Sequence, residues 1–290
     1  MKVLLTGANG QLGHCFKNIF PKDWELFATD RKVLDITDNL AVEDYISTYK
    51  PDCIVNAAAF TAVDKAEDDY NLAYQVNVVA SENLAIVAKK CNAKLVHIST
   101  DYVFDGTKNY PYEENDKTNP INVYGETKRK GELAILANNS SAIIIRTSWV
   151  FSEYGNNFVK TMLKLASENT KLSVVDDQIG NPTYAGDIAK VVIKLIKKNA
   201  DGGIYHYCGD KSISWFLFAK EIFDVALKQK LLLQVPDVYP INSISFPTKA
   251  KRPLYSVMSM EKLKKYDLSG SNWREQLISC ISKIKSIQVM

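Results

Sequence analysis

Tyr124 and Lys128 stand four residues apart in NVYGETKRKGE, residues 122–132, just after Asn119 and Pro120. If the stretch is helical, a step of four brings both side chains to one face. A free phenol, with a pKa of about 10, exchanges protons poorly at neutral pH. A neighbouring ammonium stabilises the phenolate and draws the phenol toward the working range, as proton delivery to a carbonyl oxygen requires. Alone, the spacing is equally that of a solvated helix. The rest of the chain must decide.

The stretch TGANGQLG sets Gly7, Gly10 and Gly13 directly between the apolar run KVLL and a helical pattern. Glycines there let the backbone approach a pyrophosphate, whose charge then rests on the N–H groups at the helix start. The spacing is one residue longer in its first gap than the usual dinucleotide fingerprint, and glycine turns also serve simply to reverse a chain. The strand–turn–helix setting favours the cofactor. Asp30, seventeen residues past Gly13, ends a second apolar run. It can accept from both hydroxyls of an NADH ribose, while Arg31 and Lys32 can pair with the 2′-phosphate of NADPH. Both cofactors stay open. Ser99, Thr100 and Asp101 end a further run, KLVHIS. Ligands of open α/β sheets gather at such strand ends, although the same three residue types favour turns.

These groups need a frame to bring them together. Apolar runs (KVLL, WELFAT, DCIVNAA, KLVHIS, AIIIRTS) alternate with amphipathic segments through the first half of the chain. Strands apolar throughout and separated by helices predict an α/β fold with a Rossmann-type doubly wound parallel sheet covered on both faces. Past Trp149 the pattern loosens. Helices are expected from NNFVKTMLKLA, DIAKVVIKLIKK and SWFLFAKEIFDVAL, strands from LSVV and IYHYC, and a last helix from near Asn272. The expected division is residues 1–150 for an NAD(P)-binding domain. Residues 151–290 form mostly a smaller substrate lobe, partly interleaved with the first.

Composition narrows the class. A chain of 290 residues with 46% hydrophobic and 24% charged residues is ordinary for a soluble protein. Its net charge of +3 gives no argument for nucleic acid or a membrane surface. No run reaches the roughly 18 apolar residues of a membrane span, and the N-terminus lacks a secretory h-region. Five scattered cysteines without a C-x-x-C pair suggest reduced thiols and a cytoplasmic location. His14, His97 and His206 lack metal-type spacing and read as structural, so no metal site is expected.

With TGANGQLG, VNAAAFTAVDKAE, STDYVF, VYGETK and RTSWVF together, the chain resembles the extended short-chain dehydrogenase/reductases. Within them it is most similar to the dTDP-4-dehydrorhamnose reductase branch; GNNFVKTML, VVDDQIGNPT and KRP carry the likeness past residue 250. The resemblance implies NAD(P)H-dependent reduction of a 4-keto nucleotide sugar, dTDP-4-dehydro-L-rhamnose. It implies that Tyr124 protonates the C4 oxygen, and that Lys128 tunes Tyr124 and holds the nicotinamide ribose. Thr100 would bond the carbonyl region, and Asp101 would touch the sugar. Gly10, Gln11 and Leu12 would line the pyrophosphate, Asp30, Asp35 and Ile36 the adenosine end, and Ala59, Phe60 and Thr61 the length of the cofactor. Trp149 would pack on the deoxysugar unless it is a core tryptophan. Arg252, with Lys249 and Lys251, would neutralise the diphosphate unless that loop is merely solvated. Some relatives form metal-bridged dimers, but Cys15 and Gly186 stand near the relevant positions, so a monomer or metal-free homodimer is expected. Sister branches with similar motifs are nucleotide-sugar epimerases and the non-catalytic regulatory subunit of methionine adenosyltransferase.

Overall fold

The computed structural model describes residues 1–289; Met290, where the expected second lobe ends, lies outside the described residues. In chain order the first half runs β1 (Lys2–Thr6), α1 (Gln11–Asn18), β2 (Glu25–Thr29), α2 (Asn39–Tyr49), β3 (Cys53–Asn56) and α3 (Val63–Asp68). Then come α4 (Tyr70–Tyr74), a π-helical segment Gln75–Val79, α5 (Ala80–Lys90), β4 (Lys94–Thr100), α6 (Val123–Asn138) and β5 (Ile143–Thr147). β3 and β5 are buried at every residue, which is why each opens on a run of three apolar residues, CIV and III, with no alternation.

After β5 follow β6 (Val150–Phe151), α7 (Phe158–Glu168), β7 (Lys171–Val175), β8 (Ile179–Gly180), β9 (Thr183–Tyr184) and α8 (Ala185–Lys197). The chain ends with β10 (Gly203–His206), β11 (Ile213–Ser214), α9 (Trp215–Lys228), β12 (Asp237–Ile241) and α10 (Trp273–Val289). Among the described residues no helix is long and apolar enough to cross a membrane.

The main sheet has six strands in the order β10-β5-β4-β3-β1-β2, all paired in parallel. From β1 the chain first goes outward to β2 and then returns to the other side at β3. The carboxyl ends of β1 and β3 therefore flank a topological switch point, where such sheets bind ligands. One core covers a face of this sheet and joins Val3, Leu5 and Phe16 to Ile188, Val192 and Tyr205, so α8 and β10 build the first body although they follow residue 150. A second core gathers α7, α9 and α10 around Phe218, Phe151, Leu277 and Ile281. Cys15, Cys53, Cys208 and Cys280 are buried free thiols, and Cys91 is exposed.

α4 and α5 are joined without a loop by the π-helical turn Gln75–Val79. There Asn77 is turned inward: its Oδ1 accepts from the Phe60 N–H at 2.9 Å, and its Nδ2 donates to the Phe60 carbonyl at 3.2 Å and to Thr127 Oγ1 at 3.0 Å. One side chain thus ties the loop after β3 to α6. π-Turns inside helices recur where a side chain must be re-aimed.

Candidate active site

α6 begins because Asn122 stands at its N-cap in extended conformation and accepts from the Gly125 N–H at 2.7 Å. Tyr124 follows in the first turn and Lys128 one turn later, both on the face toward β4. Gly125 is required for this placement, since a Cβ there would lie 2.1 Å from the Tyr102 carbonyl oxygen. α6 is pinned to the sheet by Glu132, whose carboxylate is fully buried and takes paired bonds from Arg146 Nε and Nη2, each at 2.8 Å. Ser99 Oγ donates to the same carboxylate at 2.6 Å. Burial works against ionising Glu132, yet Arg146, Ser99 and Arg129 hold it below the usual carboxylate range.

A cavity of about 530 Å³ opens at the carboxyl ends of β4 and β5 and is lined by Thr100, Asp101, Tyr124, Lys128 and Trp149. Tyr124 is half-buried and packs edge-on against Tyr102, with ring centroids 5.8 Å apart. Burial pushes its phenol up to about 12, the Thr100 hydroxyl opposing and Asp101 reinforcing the shift. Lys128 is buried, and its ammonium position lies 2.6 Å from the Ile98 carbonyl oxygen. Burial lowers it to about 8, with Glu132 acting the other way. Thr100 Oγ1 donates to Asp101 Oδ1 at 2.9 Å, while Asp101 Oδ2 is buried without a protein partner. That orphan oxygen raises the question of a ligand hydroxyl. Burial pushes the Asp101 carboxyl up to about 6.

The cavity continues along the cofactor side. It shares Gly10, Ala57 and Ala59 with a second cavity, of about 360 Å³, that reaches Gly7, Asp30, Asp35, Ile36 and Phe60. Gln11, Leu12 and Thr61 line the first. Gly7, at φ +70°, leaves no room for a side chain, because a Cβ would meet the Ala58 nitrogen at 2.6 Å. Gly10 caps α1 without a side-chain bond and no acidic residue sits in the first turn, so the helix start is left open to an anion. These features fit a dinucleotide pyrophosphate. Gly13 lines neither cavity; it is the close contact of α1 with the turn, where a Cβ would fall 2.4 Å from the Gly7 oxygen.

Three expected cofactor residues, Gln11, Asp30 and Asp35, already have protein partners. Gln11 turns its side chain toward the second body, and its Oε1 accepts from Ser152 Oγ and Asn157 Nδ2, both at 2.9 Å. Asp30 Oδ1 accepts from the Lys32 and Val33 N–H groups and Oδ2 from Asn9 Nδ2 at 2.8 Å, leaving Oδ2 one lone pair for a ribose. Arg31 pairs with Asp35 across 3.2 Å and is exposed.

Trp149 adopts φ +46° and stacks on Trp215 with centroids 3.5 Å apart and planes 8° from parallel. It also meets Gly180, where a Cβ would lie 2.5 Å from the indole, and Phe218, with ring centroids 6.5 Å apart. Trp215 also lines a third cavity, of about 730 Å³, and so joins it to the Tyr124 cavity. Arg252 belongs to this third cavity and does not reach the Tyr124 cavity. Its guanidinium is paired with both oxygens of Asp64, at 2.6 and 3.1 Å. Lys249 is drawn away to Asp68, and Lys251 lines the cavity.

A family model described as RmlD substrate binding domain matches residues 1–286. A dTDP-4-dehydrorhamnose reductase of Aggregatibacter actinomycetemcomitans is 45% identical over 284 residues, covering 95% of this chain and 97% of its own. The chain belongs to the dTDP-4-dehydrorhamnose reductase family. Two solved family structures superpose throughout, each with a TM-score of 0.92. One, from Clostridium acetobutylicum, is 42% identical and covers 98% of this chain and 100% of its own. The other, from Bacillus anthracis in complex with NADP, is 38% identical and covers 97% and 99%.

Trp215 and Asp64, which line the cavities, and Asn77, which ties the loop after β3 to α6, were not foreseen. Asn77 left one trace, a lone amide interrupting the apolar face of QVNVVA. Trp215 begins an apolar helix and is indistinguishable there from core.

Proposed function

We propose that the chain is an NAD(P)H-dependent oxidoreductase that reduces the 4-keto group of dTDP-4-dehydro-L-rhamnose to give dTDP-L-rhamnose. The observation that carries this reading is the convergence of Tyr124, Lys128, Thr100 and Asp101 on one cavity in a chain matched end to end by such reductases. When bound, the nicotinamide supplies the hydride taken by the C4 carbon. Tyr124 delivers its phenolic proton to the C4 oxygen, so carbon and oxygen each gain one hydrogen and an alcohol forms. Lys128, within the same cavity, offsets the charge left on Tyr124 as long as it is the ammonium, below about pH 8. Thr100 orients the carbonyl, and the orphan Asp101 Oδ2 accepts from a sugar hydroxyl.

The start of α1 and the Gly7–Gly10 turn hold the pyrophosphate, and Asp30, Asp35 and Ile36 the adenosine end. Trp149 packs on the deoxysugar with the face not covered by Trp215. The thymidine diphosphate lies in the third cavity, where Arg252 and Lys251 meet it; Arg252 must then share its charge with Asp64. Residues 1–150 are read as the cofactor domain, and 151–290 mostly as the substrate lobe, with α8 and β10 returned to the first. A cytoplasmic monomer or homodimer completes the reading.

The test is oxidation of NADPH and of NADH with dTDP-4-dehydrorhamnose made enzymatically in the assay. Turnover with formation of dTDP-rhamnose is expected. Cofactor binding without turnover would leave a binding protein and refute the reading.

A further inference from the structure

Behind Lys128 a buried polar chain crosses three strands of the main sheet. Thr6 Oγ1 on β1 donates to Asn56 Oδ1 on β3 at 2.7 Å. Asn56 Nδ2 lies 3.0 Å from His97 Nδ1 on β4, and His97 Nε2 lies 3.1 Å from Lys128 Nζ. Asn56 and His97 are each only 1% exposed, so no solvent relieves a mismatch.

The donors in this chain can be assigned one by one. The Ala58 N–H can only donate, and its acceptor is Asn56 Oδ1 at 3.1 Å. That contact sets the amide orientation, with the NH2 group facing His97 Nδ1. A nitrogen that receives a hydrogen bond carries a lone pair, so the proton of a neutral imidazole resides on Nε2. An imidazolium would set N–H against NH2 at Nδ1, and burial, with Lys128 close by, pushes His97 well below its usual range. The Nε2–H therefore points at Lys128 Nζ. An ammonium has no lone pair to accept it; an amine has one.

We propose that His97 is a positioning residue that sets the charge of Lys128: locked by Asn56 as the Nε2–H tautomer, it donates to the lysine nitrogen and favours the amine over the ammonium. The neutral amine accepts from His97, donates one hydrogen to the Ile98 carbonyl and keeps one for the cavity. The inference rests on Lys128 acting with Tyr124. The other groups facing Lys128 are Tyr124 and Glu132 on its own helix, with Thr100 and Asp101 across the cavity. Glu132 favours the ammonium but is engaged by Arg146, Ser99 and Arg129. Lys128 therefore loses its charge as pH rises through about 8, earlier than an ordinary lysine. The linkage also runs outward. To charge Lys128 with full hydrogen bonding, His97 must move its proton to Nδ1 and Asn56 must turn, which releases the Ala58 N–H on the wall of the adenosine cavity.

Two measurements test this. Long-range proton–nitrogen NMR on the 15N-labelled cofactor-free protein, with His97→Gln as the assignment control, reads the tautomer without any need for turnover. A bare Nδ1 and a protonated Nε2 are expected above about pH 8, where Lys128 is the amine. A proton on Nδ1, or an imidazolium there, overturns the proposal. The pH profile of kcat/KM tests the consequence, because glutamine can turn its carbonyl toward the lysine. In His97→Gln the alkaline limb should rise by roughly one pH unit, as a stabilised ammonium requires. An unmoved limb in a folded, active His97→Gln enzyme overturns it too. Should the variant fail to fold, assignment through Lys128→Met and the NMR tautomer still decide. If the chain proves not to turn over at all, the proposed function fails while the tautomer result stands by itself.

Discussion

At Tyr124 the protein holds a phenol whose proton is hard to lose. In the cofactor-free site burial raises Tyr124 while it lowers Lys128, so of the pair the lysine gives up its proton first. Tyr124→Phe keeps the ring against Tyr102 but removes the proton. Turnover should fall by roughly a hundredfold or more with cofactor affinity retained, measured by steady-state kinetics and cofactor titration. Near-normal turnover would end the assignment. Lys128→Met should also lower turnover and move the alkaline limb upward, since the group that titrates at about 8 is gone. Combined with Tyr124→Phe, its loss should not add, because both act on one proton transfer. Asp30 makes a second residue-level test. Asp30→Ala removes a ribose acceptor yet leaves Arg31 and Lys32, so NADH should weaken more than NADPH. Equal weakening of both cofactors, read by titration, would count against this placement.

The elements matter here as mounts. α6 carries Tyr124, the proposed proton donor, and Glu132 clamps the helix to β4 through Ser99 and to β5 through Arg146. Glu132→Leu would leave Arg146 buried without its partner, and breaking such a pair costs about 3–5 kcal/mol. Chemical denaturation at neutral pH should show a loss of that order. Since Glu132 titrates below its unfolded value, the stability it contributes is present above the unfolded pKa, about 4.3, and is lost as pH falls through the folded one. The wild type should therefore lose stability in that acid window more steeply than Glu132→Leu; parallel curves would refute the clamp.

The main strands were legible because β3 and β5 are buried on both faces and each opens on three apolar residues, CIV and III. The starts of α9 and α10 were legible as well, within a residue or two. β6, β8, β9 and β11 were not, since each is two residues long and owes its pairing to a distant partner. The π-turn was hidden for another reason: one extra residue per turn barely disturbs an apolar pattern over five residues. Tyr124, Lys128, Thr100 and Asp101 were readable as types at spacings. What spacing could not carry was the engagement of Gln11 by Ser152 and Asn157, or of Arg252 by Asp64, because those contacts span more than a hundred residues.

Across the whole molecule three cavities lie in series, neighbours sharing Gly10, Ala57 and Ala59 at one end and Trp215 at the other. The Asp64–Arg252 pair ties the segment between β12 and α10 to α3 beside the third cavity. Asp64→Asn should loosen that tie and free the guanidinium at once. If Arg252 meets the diphosphate, KM for the nucleotide sugar should change by several-fold while cofactor affinity stays put. An unchanged KM would return Arg252 to a purely structural tie. Trp149→Ala should raise KM or lower kcat/KM with cofactor affinity nearly unchanged, whereas global destabilisation would make it a core residue.

The Trp149–Trp215 stack also has an optical consequence. Two indoles this close and this nearly parallel share their electronic excitation, so their near-ultraviolet circular dichroism belongs to the pair. The other tryptophans, Trp24 and Trp273, have no indole partner of this kind among the described residues. The pair stands where the Tyr124 cavity meets the third one. A sugar nucleotide that slides or tilts either ring on arrival will change that shared signal, which makes its entry visible without a label.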